Sequence, residues 1–293
     1  MTSPQGSYYL PNPSAWPIIG SIGLFTLLLG FMLFLNEGKT GPWLMIFGVC
    51  VIVFMLFGWF GKVIGESEGG MYNDRVGMSF RMSMLWFIFS EVMFFAAFFG
   101  ALFYARTLAV PWLADTDLLW PGYEGGWPTA GPRGPVPIDA DTAVSDSAKQ
   151  FSTIGPWGIP VLNTLLLLLS SVTVTIAHHA IKENYRGRLI LWLGLTILLG
   201  IVFLYFQAIE YHHAYTELGL TLGTGVYGGT FFMLTGFHGL HVTIGAIMLT
   251  VVWLRCLRGH FKPDNHFAFE ASAWYWHFVD TVWVGLFIFV YVF

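Results

Sequence analysis

Apolar residues fill long runs of the chain, and short polar segments separate these runs. Seven runs are long enough to cross a bilayer as a helix, which takes about 20 residues. The predicted spans are Ile18–Leu35, Pro42–Phe60, Met82–Tyr104, Ile159–Ala177, Leu189–Ala208, Gly229–Cys256 and Ala271–Phe293. The pattern predicts an all-α integral membrane protein with seven transmembrane helices, forming one domain over residues 1–293.

One connection is much longer than the others. Residues 105–158 are rich in Gly, Pro and Asp and include the stretch WPGYEGGWPTAGPRGPVPIDAD. This composition predicts an irregular loop. Its length is typical of either a docking surface or a tolerated insertion, and both interpretations stay open.

The composition and charge fit this assignment and suggest an orientation. Only 10% of the residues are charged, against about 25% in soluble domains. The net charge of −4 gives no indication of nucleic-acid binding. Basic residues gather at alternate connections, and they favour the cytoplasmic side. A cytoplasmic N-terminus and an outer C-terminus follow from their positions: Lys62, Arg75, Arg81, Lys182, Arg186, Arg188, Arg255, Arg258 and Lys262.

Glu91 lies near the middle of the third predicted span. A carboxylate at the centre of a membrane helix costs about 2.5–3.5 kcal/mol on insertion scales, so its presence needs a reason. A proton relay, a face that contacts lipid and a hydrogen-bonded packing network are the alternatives. We predict that Glu91 stays protonated, because burial favours the neutral form of an acid.

Further polar residues lie within the last two spans. Glu270, His277 and Asp280 fall on one face of the seventh helix, and Asp280 is expected at the depth of Glu91. His238 and His241 are three residues apart in the sixth. Metal or haem ligation is one interpretation of this pair. Hydrogen bonds between helices are favoured, for these histidines and for the stripe on the seventh helix.

Two polar groups are expected at the ends of spans. Glu210 closes the fifth span, where we predict an acid at the membrane interface paired with His213. Trp59, Lys62 and Glu66 combine an aromatic anchor with charge at the inner end of the second span. That combination suits either a lipid head group or an ordinary interfacial belt.

Several long motifs resemble subunit III of the haem–copper cytochrome c oxidases. They are SEVMFFAAFF around Glu91, PVLNT and AHHA in the fourth span, GVYGGTFFMLTGFHGLHVTIGA in the sixth and HFAFEASAWYWHFVDTVW leading into the seventh. The resemblance covers nearly the whole chain. It implies a two-helix group and a five-helix group with a V-shaped cleft that holds phospholipid.

The resemblance also implies a role within a complex. The chain would pack against oxidase subunits I and II, which hold the haems and copper, and would itself carry no cofactor or catalytic residue. Cytochrome c would be the electron donor to the complex. The family's role is to support proton uptake by the catalytic subunit and to protect the enzyme during turnover. A bacterial inner membrane is favoured over the mitochondrial one.

The resemblance assigns particular residues as well. Glu91 matches the family's carbodiimide-reactive acid, and Trp59, Glu66, Arg258 and His260 fall near its lipid head-group contacts. Two rivals remain: subunit III of a quinol oxidase, which typically lacks the first two helices, and an autonomous proton or solute transporter.

Overall fold

A computed structural model describes residues 9–134 and 151–293, and this part of the chain contains helices and loops but no strand. The helices are α1 (Trp16–Leu35), α2 (Gly41–Glu68), α3 (Asp74–Tyr104), α4 (Val110–Ala114), α5 (Ile159–Lys182), α6 (Arg186–Thr216), α7 (Gly225–Arg258) and α8 (Phe267–Leu286). Five residues of π-helix, Ala105–Ala109, join α3 to α4, so seven helical stretches are long and apolar enough to span a membrane. The predicted number and class of elements are confirmed.

The helices are longer than the apolar runs that predicted them. The second extends eight residues past the predicted end at Phe60, to Glu68, and the third begins at Asp74 instead of Met82. Arg75 and Arg81 therefore lie on α3 and not in a loop. Hydropathy detects only the segment that is soluble in hydrocarbon, whereas backbone hydrogen bonds continue a helix into the polar interface.

The loop after the third span also begins later than predicted. Residues 105–114 continue the helix, and irregular structure starts at Asp115. Residues 135–150 of the predicted loop lie outside the described part of the chain. Proline occupies the first turn of α1, α2 and α5, where its missing N–H leaves no hydrogen bond unmade.

The chain divides into two compact units, one ending at Met82 and the other beginning at Ser83. In the first unit α1 packs against α2. Glycines let the two backbones approach closely: a Cβ at Gly48 would lie 2.6 Å from the backbone nitrogen of Leu27, and one at Gly30 would lie 2.6 Å from that of Met45. Small residues at this seam let two helix backbones meet directly.

In the second unit α5, α6, α7 and α8 form a continuous bundle in which α5 also packs against α8. Trp276 of α8 is one of its two fully buried tryptophans. The indole ring fits against Gly200 of α6 and Gly245 of α7, where an added Cβ would lie 2.6 Å and 2.9 Å from ring atoms. Its Nε1–H donates to the Ser170 hydroxyl of α5 at 2.9 Å. One side chain thus contacts all three neighbouring helices.

The glycine seam of the first unit gives a direct test. We expect Gly48→Ala to lower the free energy of unfolding by about 1–3 kcal/mol, because the new methyl group would press on the α1 backbone. Thermal unfolding of the detergent-solubilised protein, followed by circular dichroism, measures this loss. Gly61→Ala is the matched control on the same helix, since nothing lies within 4 Å of a Cβ there. Equal unfolding temperatures for the two variants would contradict a close approach of the α1 and α2 backbones at Gly48.

Candidate functional site

Glu91 of α3 and His241 of α7 form a close acid–histidine contact in the second unit. Glu91 Oε2 lies 2.8 Å from His241 Nε2, and the side chains are only 21% and 10% exposed. The two residues are 150 positions apart in sequence. The mid-membrane acid is therefore paired within its own chain.

The second ring nitrogen of His241 determines where the protons lie. Nδ1 is 2.6 Å from the carbonyl oxygen of Phe237, one turn earlier on α7. A carbonyl oxygen only accepts, so Nδ1 carries a proton and donates it. Nε2 then either accepts the Glu91 proton or, in the imidazolium, donates to the carboxylate. In both cases one proton lies between Glu91 and His241.

Aromatic rings enclose this pair. The His241 ring lies 4.9 Å from the Phe95 ring in an edge-to-face arrangement and 5.8 Å from that of Phe94. Tyr275 of α8 stacks at 6.4 Å. These large side chains hold α3 at a distance from α7 and α8, and they surround the pair with apolar surface. A hydrogen bond in such surroundings is stronger than in water, and an unpaired polar group is more costly.

His238 is completely buried and has a different partner. Its Nε2 lies 3.2 Å from the Val279 carbonyl oxygen and therefore donates to it, which ties α7 to α8. Phe203 and Trp283 flank the ring at 5.7 Å and 5.0 Å. The two histidines that were considered as a metal pair thus use three of their four ring nitrogens in hydrogen bonds.

The polar residues of α8 do not form one connected site. His277 Nδ1 lies 2.7 Å from the Ser171 hydroxyl of α5. Asp280 is 4% exposed, and neither of its oxygens has a hydrogen-bond partner in the described chain. Glu270 lies in the first turn of α8. The structure therefore brings His241 to Glu91, His238 to Val279 and His277 to Ser171, in three separate contacts.

Glu210 is buried within the bundle, at 2% exposure, and its contacts differ from those predicted. The Tyr291 hydroxyl donates to its Oε1 at 2.7 Å, and the Gln207 amide donates to the same oxygen at 3.1 Å. Its predicted partner His213 lies 3.1 Å from Glu217 instead. The predicted pairing with His213 is wrong, because α6 continues to Thr216 and His213 meets Glu217 one turn further along the helix.

The first unit holds two of the candidate lipid contacts. Trp59 is 45% exposed and stacks on Phe60. Glu66 lies 3.9 Å from the Lys62 ammonium group and accepts a hydrogen bond of 2.8 Å from Tyr72. Burial, and then the hydrogen bond and negative charge of Glu66, raise the pKa of Tyr72 well above its usual value. The Tyr72 phenol therefore remains a donor to Glu66 over the whole physiological pH range.

The other two candidate lipid contacts belong to the second unit. Arg258 is exposed at the last residue of α7, and His260 follows after Gly259, whose left-handed conformation ends the helix. A basic group at a helix C-terminus is stabilised by the helix dipole. In residues 9–134 and 151–293, no group of three or more His, Cys, Asp or Glu is placed to hold a metal ion.

Sequence reasoning identified Glu91 but not its partner. The sequence placed Asp280 at the depth of Glu91 but named no bonding partner for Glu91, and the structure pairs it with His241. One local feature does indicate that His241 bonds to another helix. His241 follows Phe237 by four residues, so the Phe237 carbonyl oxygen can bind Nδ1, which directs Nε2 away from α7. Which helix that nitrogen then meets depends on the packing of α3, which no local pattern records.

Known proteins resemble this chain along almost its entire length. The family model described as cytochrome c oxidase subunit III matches residues 6–122 and 145–293. Cytochrome c oxidase subunit 3 of Marchantia polymorpha is 38% identical over 99% of this chain and 97% of that protein. The proteins of the same name from Gadus morhua and Arabidopsis thaliana are 38% and 39% identical, with 99% of this chain and 98% and 97% of those proteins covered.

The shared proton of Glu91 and His241 predicts different outcomes for two substitutions. Glu91→Met leaves the His241 Nε2 without a partner, which costs about 1–3 kcal/mol of unfolding free energy. Glu91→Gln keeps a hydrogen bond, because the amide can donate to that nitrogen, and we expect a much smaller loss. Thermal unfolding of the solubilised protein measures both.

A double-mutant cycle with His241→Phe isolates the contact. With the phenyl ring in place, Glu91→Met should no longer carry the cost of an unpaired ring nitrogen. Equal destabilisation by Glu91→Gln and Glu91→Met in the original background would show that the bridging proton contributes nothing.

Proposed function

The chain belongs to the cytochrome c oxidase subunit III family, and we propose that it acts as an accessory subunit without a cofactor of its own. Membership makes it part of the oxidase complex, a multi-pass membrane protein of the respiratory chain. In the proposal, subunits I and II hold the haems and copper, and cytochrome c donates electrons to that complex. This chain stabilises the catalytic subunit, supports its proton uptake and binds structural phospholipid.

The Glu91–His241 contact is the main observation in favour of an accessory role. Acid and base satisfy each other at 2.8 Å, and the second nitrogen of His241 is bound to the backbone. Glu91 thus has a structural partner within the chain and is only partly accessible. A side chain with these contacts suits a helix bundle that sustains chemistry in a neighbouring subunit.

The surface of the helices supports binding to lipid and to other subunits. Large apolar side chains are exposed along α1, α2 and α3, among them Phe25, Phe57 at 80% and Trp86 at 67%. Such a surface is stable only against hydrocarbon or another apolar surface. We propose that Trp59, Glu66, Arg258 and His260 contact lipid head groups, since aromatic and charged groups at the ends of α2 and α7 suit that interface.

We also propose an orientation and a location for the chain. The basic connections favour a cytoplasmic N-terminus and an outer C-terminus in a bacterial inner membrane. The presence of α1 and α2 favours a cytochrome c oxidase over a quinol oxidase, whose subunit III typically lacks them.

Depletion of this chain from the purified complex tests the proposal. Haem and copper content per complex should stay the same, while the number of turnovers before inactivation and the rate of proton uptake should fall. Adding the chain back with phospholipid should restore both. Loss of stoichiometric haem or copper upon depletion would show that the chain holds a redox centre and would overturn the proposal.

Reconstitution of the isolated chain in vesicles tests the transporter alternative. We expect no proton flux beyond that of protein-free vesicles, because Glu91 is bound to His241. A flux that Glu91→Gln abolishes, with no partner subunit present, would favour the transporter. The absorption spectrum of the same sample should lack a Soret band.

A further inference from the structure

The buried acid Glu210 lies next to a cavity to which the proposed function assigns no role. This cavity has a volume of about 230 Å³ and lies where α5 begins and α6 ends. Nine residues line it: Thr153, Ile154, Gly155, Trp157, Ile159, Pro160, Glu210, His213 and Leu218. The cavity belongs entirely to the second unit.

The cavity leads from an exposed rim to a buried floor. Trp157 on the rim is 85% exposed, and Thr153 and Gly155 are exposed as well. Glu210 and Pro160, in contrast, are buried. A single water molecule occupies about 30 Å³ in the liquid, so there is room for several. The Thr153 hydroxyl, the His213 ring and the Glu210 carboxyl offer polar partners along the wall.

The two carboxyl oxygens of Glu210 have different surroundings. Oε1 accepts both donated hydrogen bonds, from Tyr291 at 2.7 Å and from Gln207 at 3.1 Å. Oε2 is buried and has no partner among the described residues. Gln207 is itself fixed by the Asn163 amide, which donates to its Oε1 at 3.4 Å. This chain of hydrogen bonds holds Oε1 as the acceptor, and Oε2 is left as the oxygen that can carry a proton.

We propose that Glu210 is a proton-exchange site that water reaches through this cavity. The carboxyl is neutral, and its Oε2–H group donates to the innermost water molecule. In an exchange event the Oε2–H bond breaks and the proton passes to that water, while a proton from a water oxygen returns to Oε2. The net charge is unchanged. The other titratable groups nearby are Tyr291 and Tyr211, His213 on the cavity wall, and Glu217, which pairs with His213.

Infrared spectroscopy of the purified oxidase complex tests this site in the intact assembly. Glu210→Gln should remove one carbonyl band of a protonated carboxyl group. In the unsubstituted protein that band should shift to lower frequency within seconds of perfusion with D₂O. Exchange through local unfolding would take minutes to hours instead.

Blocking the cavity should slow the exchange. Gly155 lines it and has nothing within 4 Å of an added Cβ, so Gly155→Phe can place a ring in the opening. We expect the shift to move from seconds into the range of minutes to hours, and Thr153→Trp should act in the same way. Gly126→Phe is the matched control: this exposed loop glycine has equally open surroundings and does not line the cavity, so its variant should exchange as fast as the original.

Three outcomes would overturn the proposal. They are the absence of a carbonyl band that depends on Glu210, slow exchange of that band in the unsubstituted complex, and unchanged exchange in both blocking variants. If Glu210→Gln fails to assemble, Tyr291→Phe identifies the same band. Loss of the phenol hydrogen bond to Oε1 should then raise its frequency.

Discussion

The insertion of Trp276 between three helices is the contact on which the larger unit depends. The indole needs a glycine on α6 and another on α7 to fit, and it needs the Ser170 hydroxyl of α5 to satisfy its N–H. In hydrocarbon, apolar surface alone does not drive helices together, so close packing and hydrogen bonds must do so. Trp276 supplies both at one point. The positions of His238 and Glu210, on α7 and α6, follow from the helix arrangement that it fixes.

The sequence was sufficient for the class of fold and for the elements. Seven apolar runs predicted seven spanning helices, because the lack of water leaves the backbone no alternative to internal hydrogen bonds. The helix ends were less predictable. Lys62 and Glu66 look like loop residues by hydropathy, yet both lie on α2, where they pair across one turn.

Partners of polar residues were predictable only where they are local. The bond from His241 to Phe237 spans one turn and follows from helix geometry. The bond from His241 to Glu91 depends on phenylalanines that set the spacing of α3, and the bond from Tyr291 to Glu210 joins residues 81 positions apart. Long-range pairs of this kind arise from the packing of whole helices, and one sequence without its relatives contains no direct record of them.

The glycine seam of the first unit has a consequence for how freely its sequence can change. Because α1 and α2 meet backbone to backbone at their glycines, bulky side chains such as Phe25 and Phe57 remain mostly exposed, at 67% and 80%. One apolar residue can therefore replace another on that outer surface during evolution, to suit a different lipid composition or a different neighbouring protein. The close contact between α1 and α2 depends instead on keeping its glycines.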